Sequence, residues 1–192
     1  MISKTVGFAL TGSFCTFEPV LAAMKALSLQ YETVVPILSF AAGSTDSRFG
    51  AAADFRTRIE TICGRTALDS LAAVEPIGPK KRLDLLIVAP CTGNTLAKLA
   101  AGIADTPVTL ACKAHLRNAR PILLAVSTND GLAANAASIG SLLARRHLYF
   151  VPFGQDNAEQ KPTSLVADMS QIPEAAAAAL RGEQLQPILL RQ

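Results

Sequence analysis

Four short polar segments carry most of the side chains able to do chemistry in this chain of 192 residues. Thr11-Gly12-Ser13 offers backbone N–H groups and a hydroxyl in the form that cradles a phosphate at a helix N-terminus. The same three residues equally serve as a plain turn and N-cap. Pro90-Cys91-Thr92-Gly93-Asn94-Thr95 has almost no bulk and several hydrogen-bonding groups, so it can approach the polar edge of a flat heterocycle closely. Ser127-Thr128-Asn129 repeats that chemistry, and Ala42-Gly43-Ser44-Thr45-Asp46-Ser47 adds hydroxyls and an acid. Capping accounts for any one of these loops. Four of one composition favour a binding site.

Several familiar chemistries are missing. There is no GxGxxG fingerprint, no GxxxxGK[S/T] loop, no GxSxG elbow and no SxxK pair. His115 lies in a polar stretch and His147 follows Arg145-Arg146, so both read as surface residues rather than a general base. Cys15, Cys63, Cys91 and Cys112 are far apart, form no CxxC pair and make no zinc site with two isolated histidines. They read as reduced thiols, most of them small buried hydrophobes. The acids nearest the four loops are Asp46, Asp105 and Asp130, and Asp105 reads as a helix cap. Lys80-Lys81-Arg82 reads as a solvated turn.

The elements that position these loops alternate regularly. Apolar strands are expected at residues 6–10, 33–40, 83–89, 121–126 and, more briefly, 149–152. Helices are expected at 17–29, 50–63, 95–104, 133–146 and 174–180, with an extended tail at 184–192. Residues 155–163 are polar without periodicity and read as a flap or an assembly contact. The pattern predicts one α/β domain spanning residues 1–192, a doubly wound three-layer sandwich on a central parallel sheet of the Rossmann or flavodoxin-like kind. In such a sheet ligands bind beyond the carboxyl ends of the strands, where all four polar loops fall.

Composition agrees with that class. Half of the chain is hydrophobic and 17% is charged, which excludes intrinsic disorder. Aromatics make up only 5% and Trp is absent, so Ala, Leu, Ile and Val must build the core. The net charge of +3 is spread evenly, giving no basic face for nucleic acid. No apolar run approaches the roughly 18 residues of a membrane span. No cleavable signal pattern opens the chain, and a cytosolic location is expected.

The strand-loop pattern resembles the flavoprotein family of homo-oligomeric flavin-containing cysteine decarboxylases. The likeness is carried by Thr11-Gly12-Ser13, by the proline-led loop from Pro90 to Thr95, and by Ala97-Lys98-Leu99-Ala100-Ala101-Gly102-Ile103-Ala104-Asp105. It implies FMN held by the loop Thr11-Gly12-Ser13, with the phosphate on Gly12, Ser13 and Ser39. The flavin ring would be flanked by Thr92, Asn94 and Thr95, with Ser127, Thr128 and Asn129 at its edge. It also implies a homo-oligomer, either a trimer or a dodecamer. The decarboxylases carry a histidine after the second strand and a Pro-x-Met-Asn motif later. This chain has neither, so a proton-transfer partner for decarboxylation is missing.

Residues 7–16, 44–50, 124–130, 149–156 and 182–187 are similar to a branch of the family that works as one half of a two-component synthase. That resemblance implies a second, NADP-binding component as partner, together with a small dicarboxylate substrate. Asp46, Arg48 and Asn129 would lie nearest the carboxylates, with Arg48 as the anion partner. The implied reaction is an aromatising two-electron oxidation, which needs an electron acceptor because side chains cannot take a hydride. Lone turnover is not expected. A stand-alone FMN decarboxylase and a non-catalytic scaffold for the partner remain the alternatives.

Overall fold

In the computed structural model, which describes residues 1–80 and 82–190, strands and helices alternate along the chain. The order is β1 (Ile2–Leu10), α1 (Phe17–Gln30), β2 (Tyr31–Leu38), α2 (Phe40–Ser44), α3 (Ala52–Cys63), α4 (Leu71–Val74) and β3 (Leu85–Cys91). Then follow α5 (Gly93–Ala101), α6 (Pro107–Leu116), β4 (Ile122–Thr128), α7 (Ala136–Leu143), β5 (Leu148–Phe150), β6 (Phe153–Asn157), β7 (Lys161–Ala167) and α8 (Ile172–Leu180). Lys81, within the basic run 80–82, and residues 191–192 of the tail lie outside the described residues.

Five strands pair in parallel in the order β2-β1-β3-β4-β5. The chain order therefore reverses between β1 and β3, which opens a crevice at their carboxyl ends. Every residue of β3 is buried, as are the first six of β4, because helices cover both faces. On one face α1 packs against α8, with α3 beside α1; on the other α6 packs against α4 and α5, and α5 against α7. No helix among the described residues is long and apolar enough to cross a membrane.

Local chemistry sets the helix ends that matter for the crevice. The Ser39 hydroxyl caps α2 by accepting the Ala42 N–H at 3.1 Å, and the Thr92 hydroxyl caps α5 through the Thr95 N–H. Helix α5 stops at Gly102, whose φ of 73° suits glycine alone without strain. Thr106 and Thr109 cap α6 reciprocally, with Pro107 at its first position.

The structure corrects three expectations. Residues 155–163 are no flap: β6 and β7 form an antiparallel hairpin that joins the sheet beside β4, making it mixed. The reason is that β5 covers only residues 122–124 of β4, leaving the backbone of Ser127 and Thr128 for β7 to pair. Helix α7 is shorter than the span 133–146, because the Asp130 carbonyl accepts from the N–H groups of Ala133 and Asn135 in a turn ahead of it. The tail runs alongside β6, with Phe153 N–H donating to Ile188 and Leu190 N–H donating back to Phe153.

The third correction is His115, which is not at the surface. It is 1% exposed, and its Nε2–H donates to the Pro121 carbonyl at 3.0 Å. Burial pushes its pKa down to about 4 from 6.5, with Arg120 adding to the effect while the Pro121 contact and Asp84 oppose it. The unfolded chain therefore takes up this proton first. The stability His115 contributes is complete above about pH 6.5 and is lost as the pH falls toward 4. Urea unfolding of wild type and His115→Gln across pH 4–7 should show the gap between them shrinking in acid, by on the order of 2–3 kcal/mol. A gap that does not change with pH would contradict the assignment.

Candidate functional site

A cleft of about 720 Å³ opens at the carboxyl ends of β1, β3 and β4. Its volume lies in the range of small-molecule sites. Gly12 and Ser13 enter it from the end of β1, together with Phe14 and Cys15. Thr92, Gly93 and Asn94 enter from the start of α5, so the first turn of a nine-residue helix faces the cleft. Ser127, Thr128, Asn129 and Asp130 form its far side. Ser47, Arg48 and Phe49 close one rim, and the β6–β7 hairpin closes the other with Asp156, Lys161 and Ser164.

One buried hydroxyl joins two of these walls. Thr11, 1% exposed, donates to the Pro90 carbonyl at 2.7 Å and accepts from the Thr92 N–H at 3.0 Å. It thus fastens the end of β1 to the loop that starts α5. The Ser13 and Ser127 hydroxyls meet at 2.7 Å and tie the first wall to the third. The Thr163 hydroxyl donates to the Asn129 carbonyl at 2.7 Å, which clasps the hairpin onto the β4 loop.

Asp130 is the carboxylate best held within the cleft. Its two oxygens accept from the Thr128 hydroxyl and, at 2.8 Å, from Asn135 Nδ2. Those groups pack directly over Gly93, where a Cβ would sit 2.5 Å from both Asn135 Nδ2 and Thr128 Oγ1. Only glycine lets the α5 N-terminus approach this network.

The cations behave differently from each other. Lys161 is hydrogen-bonded to Asp156 at 2.6 Å, which raises its pKa, and Arg48 nearby opposes the rise. Arg48 lies 4.9 Å from the Phe49 ring centroid and pairs with no carboxylate among the described residues. Neither histidine lines the cleft. Burial holds the thiols of Cys91 and Cys112 well above their ordinary range, Cys112 at about 12, so both are inert core groups. Cys15 is exposed and lines the cleft, unlike the small buried hydrophobe expected of most of the cysteines.

Of the residues picked from sequence, Gly12, Ser13, Arg48, Thr92, Asn94, Ser127, Thr128 and Asn129 line this one cleft. Thr11, Ser39 and Thr95 do not: each is buried behind the lining, with its hydroxyl engaged in the loop it supports. Asp46 also stays outside the lining, because its carboxylate accepts the Ala52 N–H at 2.9 Å and pins the start of α3. Asp105 is no helix cap but an ion-pair partner of Lys98 at 2.8 Å. The reading missed Phe14, Phe49, Asp156, Lys161 and Ser164. Asn157 was the available signal for the last three, since its side chain accepts the Glu159 and Gln160 N–H groups in the turn that makes the hairpin.

The donor set suits a flat heterocycle carrying an anionic tail. Helix N–H groups, hydroxyls and amides face apolar surfaces from Phe14, Phe49, Leu165 and Val166, with Arg48 at the rim. Comparisons with known proteins agree with that chemistry. The chain is 43% identical over 187 residues to the B subunit of dipicolinate synthase from Bacillus subtilis (strain 168), covering 97% of this chain and 94% of the relative. The crystal structure of the B subunit of dipicolinate synthase from Bacillus halodurans superposes with a TM-score of 0.90 at 43% identity, over 98% of this chain and 97% of that one. The fold is shared with Burkholderia xenovorans DmrB, a cubic cage for redox transfer solved with FMN, at a TM-score of 0.69 and 19% identity, over 94% of this chain and 97% of that one. The family model described as flavoprotein matches residues 3–161, and the chain belongs to the flavoprotein family.

Proposed function

We propose that this chain acts as the B subunit of a dipicolinate synthase in the cytoplasm of a sporulating cell. With the A subunit of that synthase it would form pyridine-2,6-dicarboxylate from a dihydrodipicolinate-type precursor. The observation that carries this reading is the convergence of Arg48, Asp130 and the α5 N-terminus on one cleft. It is supported by 43% identity, over nearly the whole chain, to the Bacillus subtilis relative.

Each group has a part the chemistry requires. Arg48 pairs with no carboxylate among the described residues, so its guanidinium is available to a substrate carboxylate, and the Asn129 amide lines the same cleft as a further donor. Asp46 holds the segment carrying Arg48 in place through Ala52 rather than touching substrate. Aromatisation removes a hydride and a proton from the ring. Asp130 would accept the proton, its carboxylate aimed by Thr128 and Asn135. No side chain takes the hydride, so NADP on the partner would receive it. FMN would be held by Gly12 and Ser13 at its phosphate, over the supporting hydroxyls of Thr11 and Ser39, and by Thr92, Asn94, Ser127 and Thr128 around its ring. Bound there, it supplies two-electron redox chemistry.

Assembly follows from an uncharged helix. The outward side of α7 and its lead-in turn presents Leu132, Ala133, Ala134, Ala137, Gly140 and Leu143, all exposed. A second copy of this chain would cover that face. Light scattering at micromolar concentration should give a homo-oligomer, and Leu143→Glu should shift it toward smaller species. A monomeric wild type contradicts this.

The function is tested by following absorbance of the aromatic dicarboxylate formed from fresh precursor with NADP. The partner alone, this chain alone and the mixture are compared. Product should appear chiefly in the mixture, and Arg48→Ala should slow it by about ten- to a hundredfold, the weight of a lost charge-assisted contact. Rapid turnover by this chain alone refutes the reading. Equal rates with and without it, or with Arg48→Ala, leave it only a scaffold.

A further inference from the structure

A second cleft of about 440 Å³ lies at the opposite end of the sheet, where β1 and β2 begin and the chain enters β3. Thr5 and Thr33 are register partners on β1 and β2 and line its floor. Arg65 and Thr66 come from the segment after α3, and Arg82 from the approach to β3. Val35, Ile77 and Leu83 supply apolar walls.

What sets these five polar side chains apart is that they face one cavity without a protein partner among the described residues. Elsewhere among the described residues, the exposed Arg117 and Arg146 stand singly in solvent, while Arg56, Arg58, Arg145 and Arg181 bind protein oxygens, as do the hydroxyls of Thr11, Thr57 and Thr61. By contrast, no side-chain hydrogen bond or ion pair joins Arg65, Arg82, Thr5, Thr33 or Thr66 to any described residue. The acids close by are already engaged. Asp84 accepts from Lys4 and the Thr5 N–H and lies 3.9 Å from Arg120, and Glu32 accepts the Ser3 hydroxyl. Two positive charges and three hydroxyl donors therefore converge on one apolar-walled cavity in which no side chain among the described residues accepts from them. That is the donor set of an oxyanion site.

We propose that this cleft binds a small organic oxyanion of at least two negative charges, a phosphate monoester or a dicarboxylate, clamped between Arg65 and Arg82 with Thr5, Thr33 and Thr66 as hydroxyl donors. The apolar walls select an anion with a carbon body over a bare inorganic one. Arg82, exposed as the solvated-turn reading expects, would reach the anion from the solvent side. The site is separate from the cleft of the proposed reaction, and β1 is the element common to both: Thr5 stands near its start, and Gly12 and Ser13 follow its end.

Calorimetric titration of the full chain with phenyl phosphate, pyridine-2,6-dicarboxylate and inorganic phosphate tests this. Saturable binding of phenyl phosphate or the dicarboxylate is expected, tighter than inorganic phosphate. The exposed pair Arg65→Gln/Arg82→Gln should weaken it by about tenfold or more, and Arg82→Gln alone by less. Arg48→Ala should leave this component unchanged, which separates it from the other cleft. Which of the two organic anions binds identifies the source. No saturable binding of either, binding insensitive to both arginines, or binding lost only with Arg48→Ala would overturn the proposal.

Discussion

The cleft depends on the Thr11 hydroxyl more than on any other single group. It sits at the point where strand order reverses, donating to Pro90 and accepting from Thr92. The ladder between β1 and β3 ends at Ala9 and Val88, and beyond it the bridge holds the end of β1 to the start of α5 as the polypeptide leaves the two strands toward different helices. Full burial makes the bridge strict: an unpaired hydroxyl or N–H there would cost about 1–3 kcal/mol. Pro90 adds to the divergence. It has no N–H to give to the ladder, and the pairing of β3 with β4 shifts register between Val88 and Cys91.

Around that bridge the protein spends nearly all of its polar groups on holding loops. Ser39, Thr92, Thr95, Ser13 and Ser127 bond to backbone or to one another, which makes the crevice stiff before any ligand arrives. What remains uncommitted is small: the Gly12 N–H, the first N–H groups of α5, the Asn94 and Asn129 amides, and Arg48. A site so furnished suits an anionic planar molecule. It is poor in proton-transfer groups, since His115 is a core residue and Asp130 is the one firmly positioned acid of the inner wall. In the function proposed above, a partner makes good that poverty.

The sheet and most of the lining were legible because both follow from local pattern. The apolar run at residues 83–89 reads as a strand buried on two faces, though β3 itself runs on through Cys91, and short hydroxyl-rich segments after such strands fall at the carboxyl edge by topology. The hairpin was not legible, because its strands alternate weakly and its place is set by an open stretch of β4 far away in sequence. Lys161 and Asp156 were hidden with it. Support and contact were also indistinguishable by residue type: Thr11 and Thr92 have the same side chain, yet one is buried within a bridge and the other lines the cleft. His115 shows the same limit, its burial decided by where α6 packs on the sheet.

The claim that the crevice at the ends of β1, β3 and β4 is a ligand site is tested most directly by fluorescence titration of FMN against the purified chain and Ser13→Asp, with circular dichroism confirming equal folding. Wild type should bind FMN saturably. The aspartate, set against the phosphate, should weaken binding by about tenfold or more. Equal affinity in the two proteins, or no saturable binding by wild type, would contradict the account.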